Sequence, residues 1–122
     1  YMSSIQAKIV MNNFVNFDKK MRGLGSLVDT YNKELGYNNT SKHLYRIEVL
    51  DNKKFVDNMK RAGIVCGIHY SALHNNPIYR NEEKFDCPKS EKVEKRTVSL
   101  PMNERLSFNQ LEYIIDKVKE NI

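Results

Sequence analysis

HLYRIEVLDNKKFVDNMKRAGIVCGIHY, residues 43–70, decides the fold class because a strand pattern, a helix pattern and a second strand pattern follow one another without a break. Residues 43–50 alternate between apolar and polar side chains, which is the period of a half-buried strand. The apolar side consists of Tyr45, Ile47 and Val49. Residues 64–70 alternate in the same way and predict a second strand, which places His69 opposite its apolar row. That row consists of Ile64, Cys66, Ile68 and Tyr70.

A short amphipathic helix is predicted between these two strands. Asp51 or Asn52 can cap its start, because a side-chain oxygen there accepts hydrogen bonds from the first N–H groups of the helix. Gly63 suits the position just after its end, where the backbone commonly turns left-handed. The buried face is expected to consist of Phe55, Val56, Met59 and Ala62.

Residues 1–35 predict one long kinked helix, or two nearly collinear helices. Apolar residues recur in steps of three and four, which places them on one face. They form a short stripe, Met2, Ile5 and Ile9, and a longer one, Phe14, Phe17, Met21, Leu24, Val28, Tyr31 and Leu35. The pattern fits equally a helix packed on its own domain and one that bridges to a separate domain or partner. Because the chain opens at Tyr1, already inside the helical pattern, we expect it to be part of a longer protein.

The remainder of the chain predicts a loop, a strand and a helix. Residues 71–94 predict a long loop, and residues 96–100 predict a third strand. Ser107 and Gln110 form a capping-box pattern that begins the last helix. The buried face of this helix is expected to consist of Phe108, Leu111, Ile114, Ile115, Val118 and Ile122.

The predicted fold class is therefore α+β. At 122 residues, 40% of them hydrophobic, the chain has enough material for one small core. Residues 1–35 form the long or kinked helix. Residues 36–122 form a small domain with a three-stranded, mostly antiparallel sheet and two helices.

Composition favours a cytoplasmic protein with a solvated surface. The net charge is +5, but acidic residues interrupt every basic stretch, which argues against a nucleic-acid-binding stripe. No apolar run reaches the roughly 18 to 20 residues needed to span a membrane, and the start lacks a signal-peptide pattern. Cys66 and Cys87 have no CxxC partner or second cluster, and predict two reduced cysteines.

Residues with the most potential for chemistry lie in GIHYSALHNNPIYR, residues 67–80. They are His69, Tyr70, His74, Tyr79 and Arg80. Such side chains supply donors, stacking faces and a cation for a sugar or phosphate ligand. On spacing alone, ordinary packing and solvation of these side chains is favoured over a binding site, because lone histidines are seldom ligands and no third metal ligand is apparent. Since motifs for phosphate binding, nucleophilic catalysis and zinc hydrolysis are absent, we expect the isolated chain to be inactive.

The same stretch resembles the DegT/DnrJ/EryC1/StrS family of sugar aminotransferases. The family has a GI pair, then an HY pair, then a histidine, a proline and a tyrosine. This chain has the same order of residues, at Gly63-Ile64, His69-Tyr70, His74, Pro77 and Tyr79. Three further matches follow the family's order. These are MSSIQA at residues 2–7, HLYRIEV at residues 43–49 and SLPM at residues 99–102.

The resemblance implies the C-terminal small domain of a fold-type I enzyme that depends on pyridoxal 5′-phosphate (PLP). Such enzymes are usually homodimers. They transfer an amino group, commonly from glutamate, to a keto carbon of a nucleotide-linked sugar, for amino-sugar and polysaccharide biosynthesis. In the family, the lysine that holds PLP lies upstream of the MSxxQA segment. We therefore expect no catalytic or cofactor-binding residue in this chain, and no PLP bound to it alone.

The resemblance assigns substrate contacts to His69, Tyr70, His74 and Tyr79. The alternative function is an independent, basic α+β module, ferredoxin-like in form, that binds nucleic acid. Single-strand binders expose aromatic side chains on a sheet face beside lysines. Tyr45 and Tyr70 lie in apolar rows that are expected to be buried, which favours the aminotransferase.

Overall fold

The computed structural model describes residues 1–79 and 86–122. Within these residues the chain forms five α-helices, two short 3₁₀ turns and two β-strands. The helices are α1 (Ser4–Phe14), α2 (Phe17–Leu35), α3 (Asn52–Arg61), α4 (Pro88–Arg96) and α5 (Phe108–Asn121). The strands are β1 (Tyr45–Glu48) and β2 (Thr97–Leu100), and the 3₁₀ turns are Leu73–Asn75 and Pro77–Tyr79. The α+β class is confirmed.

The sheet is an antiparallel pair of β1 and β2. Tyr45 lies opposite Leu100 and Ile47 lies opposite Val98. All four side chains are buried, and so is Val49 just after β1. The predicted alternation of the first strand is therefore confirmed, although the strand is shorter than residues 43–50.

The predicted three-stranded sheet is not confirmed, because the sheet of the described residues has two strands. Within residues 64–70, Gly67 forms an isolated bridge with Ser99, through N–H···O=C bonds of 3.0 and 2.7 Å. Beyond this bridge Ile68 and Tyr70 are exposed. Because neither side chain is buried against the core, continuing the ladder at these positions would add little hydrophobic stabilisation.

The hydrophobic core joins α2, α3 and α5 to the two strands. At its centre the rings of Tyr31 and Tyr45 lie 4.6 Å apart, and both side chains are fully buried. The Tyr31 hydroxyl donates to the Pro101 carbonyl at 2.9 Å, and the Tyr45 hydroxyl donates to Asn32 Oδ1 at 2.9 Å. Burial raises the pKa of the Tyr31 phenol, which therefore stays a neutral donor at neutral pH.

Local capping explains where α3 and α5 begin and where α3 ends. Asp51 accepts hydrogen bonds from the N–H groups of Lys53 and Lys54, as predicted for an N-cap. Gly63 adopts a φ of 76°, which confirms its place after the end of α3. The predicted capping box at the start of α5 is also confirmed.

The N-terminal region forms two helices that are separated at Val15 and Asn16. The second of them is anchored in the core by Leu24, Leu27, Val28 and Tyr31. Among the described residues, none of α1 is buried, and most of its apolar side chains face solvent. These exposed side chains are Ile5, Ile9, Val10, Met11 and Phe14.

Two further expectations for residues 36–122 fail. The predicted loop at residues 71–94 contains most of α4, so the described part of residues 36–122 has three helices and not two. Phe108 and Ile122 are 66% and 62% exposed and do not belong to the buried face of α5. They lie at or beside the two ends of the helix, whereas Leu111, Ile114, Ile115 and Val118 at its middle are buried as expected.

Candidate functional site

Residues 67–79 carry the four site residues predicted from the sequence, and we call them the site loop. The site loop begins at the bridge between Gly67 and Ser99 and continues through the two 3₁₀ turns. Arg80, the last member of the cluster in the sequence, lies outside the described residues.

His69 lies at the start of the site loop, and its ring packs against Gly67. Its imidazole ring occupies the space in which a Cβ on Gly67 would lie, so Gly67→Ala would clash with the ring. The ring meets the Tyr70 ring edge-on, with the centroids 5.1 Å apart. The Nδ1 atom of His69 and the Ser99 hydroxyl are both buried, without a hydrogen-bond partner among the described residues. His69 therefore meets solvent only through the rest of its ring.

Tyr70 and Tyr79 present the exposed aromatic surface of the site loop. They are 72% and 41% exposed. The expectation that Tyr70 lies in a buried row is therefore wrong. Their exposed apolar neighbours along the chain are Ile68, Leu73 and Ile78. A tyrosine offers both an apolar ring face and a hydroxyl, a combination that suits the face and the hydroxyl groups of a sugar.

His74 and Asn75 join the site loop to α4. The Nε2 atom of His74 lies 3.1 Å from Oε1 of Glu91, and the His74 side chain is only 14% exposed. Asn75 Nδ2 donates to Oε2 of Glu94 at 3.0 Å. The hydrogen bond from Asn75, with smaller help from Ala72 N–H, holds the pKa of the Glu94 carboxyl below its usual value.

Helix α4 is in turn fixed to the sheet. The side-chain amide of Asn52, a buried polar residue, donates to the carbonyls of Glu94 and Thr97. Arg96 Nε donates to the Val49 carbonyl at 3.1 Å and lies 3.1 Å from the Glu48 carboxylate. The site loop thus contacts a helix whose position is set by β1, β2 and α3.

Glu91 and Glu94 are not predicted as site residues, because the sequence of residues 71–94 predicts a loop. A signal was present, since Pro88 stands at the first position of α4 and the residues after it favour helix. Glutamates three positions apart then lie on one helix face. Their partners in the site loop depend on tertiary structure.

The described residues do not favour a thiol nucleophile or a metal site. Burial raises the pKa of the Cys66 thiol to about 11, so this cysteine is a poor nucleophile at neutral pH. No cluster of three or more metal-ligating residues occurs among the described positions. In residues 1–79 and 86–122 there is also no helix long and apolar enough to cross a membrane.

A lysine that holds a cofactor as a Schiff base is commonly shielded from water. Within this chain taken alone, the described lysines are largely not shielded in this way. All of them are exposed except Lys117. The ammonium group of Lys117 lies 2.7 Å from the Glu120 carboxylate.

The nucleic-acid alternative is not supported. It requires aromatic rings exposed on the sheet, but Tyr45, the aromatic residue of the two strands, is fully buried. Tyr70, which is exposed, belongs to the site loop beyond the single bridge.

Comparison with known proteins identifies the family. The profile of the DegT/DnrJ/EryC1/StrS aminotransferase family matches residues 1–119. The chain therefore belongs to this family of aminotransferases.

The individual proteins that match this chain have low sequence identity to it. The uncharacterised protein MJ1066 of Methanocaldococcus jannaschii is 26% identical over 123 residues, which cover 93% of this chain and 30% of that protein. Similar solved structures include the putative sugar aminotransferase Spr1654 of Streptococcus pneumoniae in its apo form, with 20% identity and a TM-score of 0.90. A DegT/DnrJ/EryC1/StrS aminotransferase of Brucella abortus has 23% identity and a TM-score of 0.83.

The shared fold covers 98% of this chain and 35% of the Spr1654 chain, and 95% of this chain and 35% of the Brucella chain. A second Spr1654 structure, described as its PMP form, has 22% identity and a TM-score of 0.87. This chain thus spans about a third of the length of the proteins that it matches.

The contact between Glu94 and Asn75 predicts an acid-sensitive contribution to stability. The folded state lowers the pKa of Glu94, so the stabilisation is complete above its unfolded value of 4.5 and is lost as the pH falls below it. Glu94→Gln should therefore reduce the loss of unfolding free energy between pH 7 and pH 3.5, measured by urea denaturation. Glu112→Gln, which changes an exposed glutamate of α5, is the control. Equal acid sensitivity of the Glu94 variant and the unchanged chain would contradict this prediction.

Proposed function

We propose that this chain is the C-terminal, sugar-facing part of a PLP-dependent aminotransferase. The whole protein, here called the parent protein, transfers an amino group from glutamate to the keto carbon of a nucleotide-linked sugar. Family membership over residues 1–119 carries this proposal. The PMP form of the structurally similar Spr1654 supports the choice of cofactor.

The cofactor is proposed to lie on a part of the parent protein outside residues 1–122. PLP bound to a lysine there supplies the electron sink for amino transfer. The family resemblance supports this placement, because the family's PLP lysine lies upstream of the segment that MSSIQA at residues 2–7 matches. The isolated chain is accordingly proposed to be inactive, and its contribution to the parent protein is to bind and orient the sugar nucleotide.

The four residues of the site loop are proposed to contribute in different ways. Tyr70 and Tyr79 have the exposed rings that a ligand can reach, and their hydroxyl groups can hydrogen-bond to sugar hydroxyls. His74 has one ring nitrogen engaged with Glu91, so a direct contact to the substrate would use Nδ1. His69 would contact the ligand through the exposed part of its ring, while its Nδ1 atom stays buried.

Residues 1–35 are proposed to connect the small domain, residues 36–122, to the PLP-binding domain. The exposed apolar side chains of α1 support this role, since a large apolar helix surface is commonly covered by a partner. A groove of about 830 Å³ between α1 and α2 is lined in part by Val10, Phe14, Phe17 and Met21. The parent protein is further proposed to be a homodimer, as the family resemblance implies. A cytoplasmic location is proposed because the sequence predicts two reduced cysteines.

Deleting an exposed ring of the site loop tests the proposed function. In the parent protein, Tyr70→Ala should raise the KM for a nucleotide-linked keto sugar about tenfold, the effect of losing roughly 1.4 kcal/mol of binding. The amount of bound PLP and the KM for glutamate should be unchanged. Formation of 2-oxoglutarate from glutamate is the measurement.

The matched control is Tyr113→Ala, which removes a partly exposed tyrosine of α5 outside the site loop. Its sugar-nucleotide KM should equal that of the unchanged protein. A parent protein without PLP-dependent amino transfer to any nucleotide-linked keto sugar would refute the function itself.

A charge on α1 tests the proposed connection. Ile9 is 56% exposed in this chain, so Ile9→Glu should change the unfolding free energy of the 122-residue chain by less than about 0.5 kcal/mol. In the parent protein the same change would bury an unpaired charge and should cost about 2 kcal/mol or more. Urea denaturation gives both values. Lys8→Gln, at an exposed neighbouring position, should be neutral in both proteins, and an equally mild effect of Ile9→Glu in both would argue against the connection.

A further inference from the structure

The site loop is held in place mainly by polar contacts. Of residues 71–79, Ala72 is buried, while the large apolar side chains Leu73, Ile78 and Tyr79 are exposed. Hydrophobic burial therefore contributes little to its position in the described structure. A loop with few buried apolar contacts opens easily unless hydrogen bonds hold it.

Two adjacent residues of the site loop supply such hydrogen bonds. His74 contacts Glu91 and Asn75 contacts Glu94, at 3.1 and 3.0 Å. Because the two glutamates are three positions apart, they lie on the same face of α4. The first 3₁₀ turn is therefore held at two points by one rigid helix.

The C-terminal end of α4 is hydrogen-bonded to residues that follow β1. The carbonyl of Glu94 accepts from the amide of Asn52, and Arg96 donates to the Val49 carbonyl. A continuous chain of hydrogen bonds therefore runs from the end of β1 and the start of α3, through α4, to His74.

We propose that His74 and Glu91 form a clamp that positions the site loop for the sugar nucleotide, so that His74 is a positioning residue and Glu91 is its partner. This inference rests on the proposed function for its effect on substrate binding, but the clamp itself does not. The 14% exposure of the His74 side chain and the engagement of its Nε2 atom favour this role over direct contact. The exposed rings of Tyr70 and Tyr79 are what the clamp holds in position.

Amide hydrogen exchange in the 122-residue chain tests the clamp independently of catalysis. The N–H groups of Asn75, Asn76 and Tyr79 donate to carbonyls within the site loop, so their exchange reports its opening. Glu91→Ala should accelerate this exchange about fivefold, as expected when one hydrogen bond of a local opening unit is lost. Lys92→Ala, which changes an exposed neighbour on α4, should leave the exchange unchanged. Unchanged exchange in Glu91→Ala overturns the clamp.

Kinetics of the parent protein separate positioning from direct contact. His74→Ala and Glu91→Ala should each raise the sugar-nucleotide KM by about three- to tenfold, and the double variant should be no worse than either, because the two residues act as one unit. His74→Gln should restore most of the affinity, since the glutamine amide can donate to Glu91 in place of Nε2. Bound PLP and the KM for glutamate should not change.

Three further outcomes overturn the inference without touching the proposed function. The first is a raised KM in His74→Ala and His74→Gln alike with no effect of Glu91→Ala, which would make His74 a direct ligand. The second is additive effects in the double variant. The third is faster exchange with unchanged kinetics, which would separate the clamp from substrate binding. By contrast, a parent protein that performs no amino transfer refutes the proposed function, and the exchange experiment still decides whether the clamp exists.

Discussion

The antiparallel pairing of β1 with β2 is the constraint on which the other elements depend. It joins two distant parts of the chain through a core that includes Tyr45, Ile47, Val98 and Leu100. Because β2 follows α4 directly, the same pairing fixes the end of α4 beside the start of α3. The site loop leaves the single bridge at Ser99 and returns to contact α4, so both of its anchoring points depend on β2.

Local features of the fold could be predicted from the sequence because they depend on neighbouring residues. The caps at Asp51, Gly63 and Ser107 require only side chains and backbone within a few positions. Features that depend on the rest of the molecule were predicted less well. Residues 64–70 alternate like a strand, but the sheet continues only as far as Gly67, and no local pattern reveals where a ladder stops.

The candidate site was predictable as a stretch of sequence, but not as a set of contacts. The resemblance selected His69, Tyr70, His74 and Tyr79, and their roles as substrate contacts stay predictions. The structure places these residues in unlike surroundings: the tyrosines are exposed, while one nitrogen of each histidine is buried or engaged. The carboxylate of Glu91 could not be paired with His74 from the sequence, because the contact depends on the tertiary position of α4.

In the proposed function, this chain orients a sugar nucleotide while the covalent chemistry takes place on another part of the parent protein. Borohydride reduction of the PLP-loaded parent protein fixes the cofactor permanently to the lysine that holds it, and peptide mass spectrometry then locates that lysine. The modified lysine is expected to lie outside residues 1–122. A stoichiometric modification of any lysine within residues 1–122 would contradict this prediction.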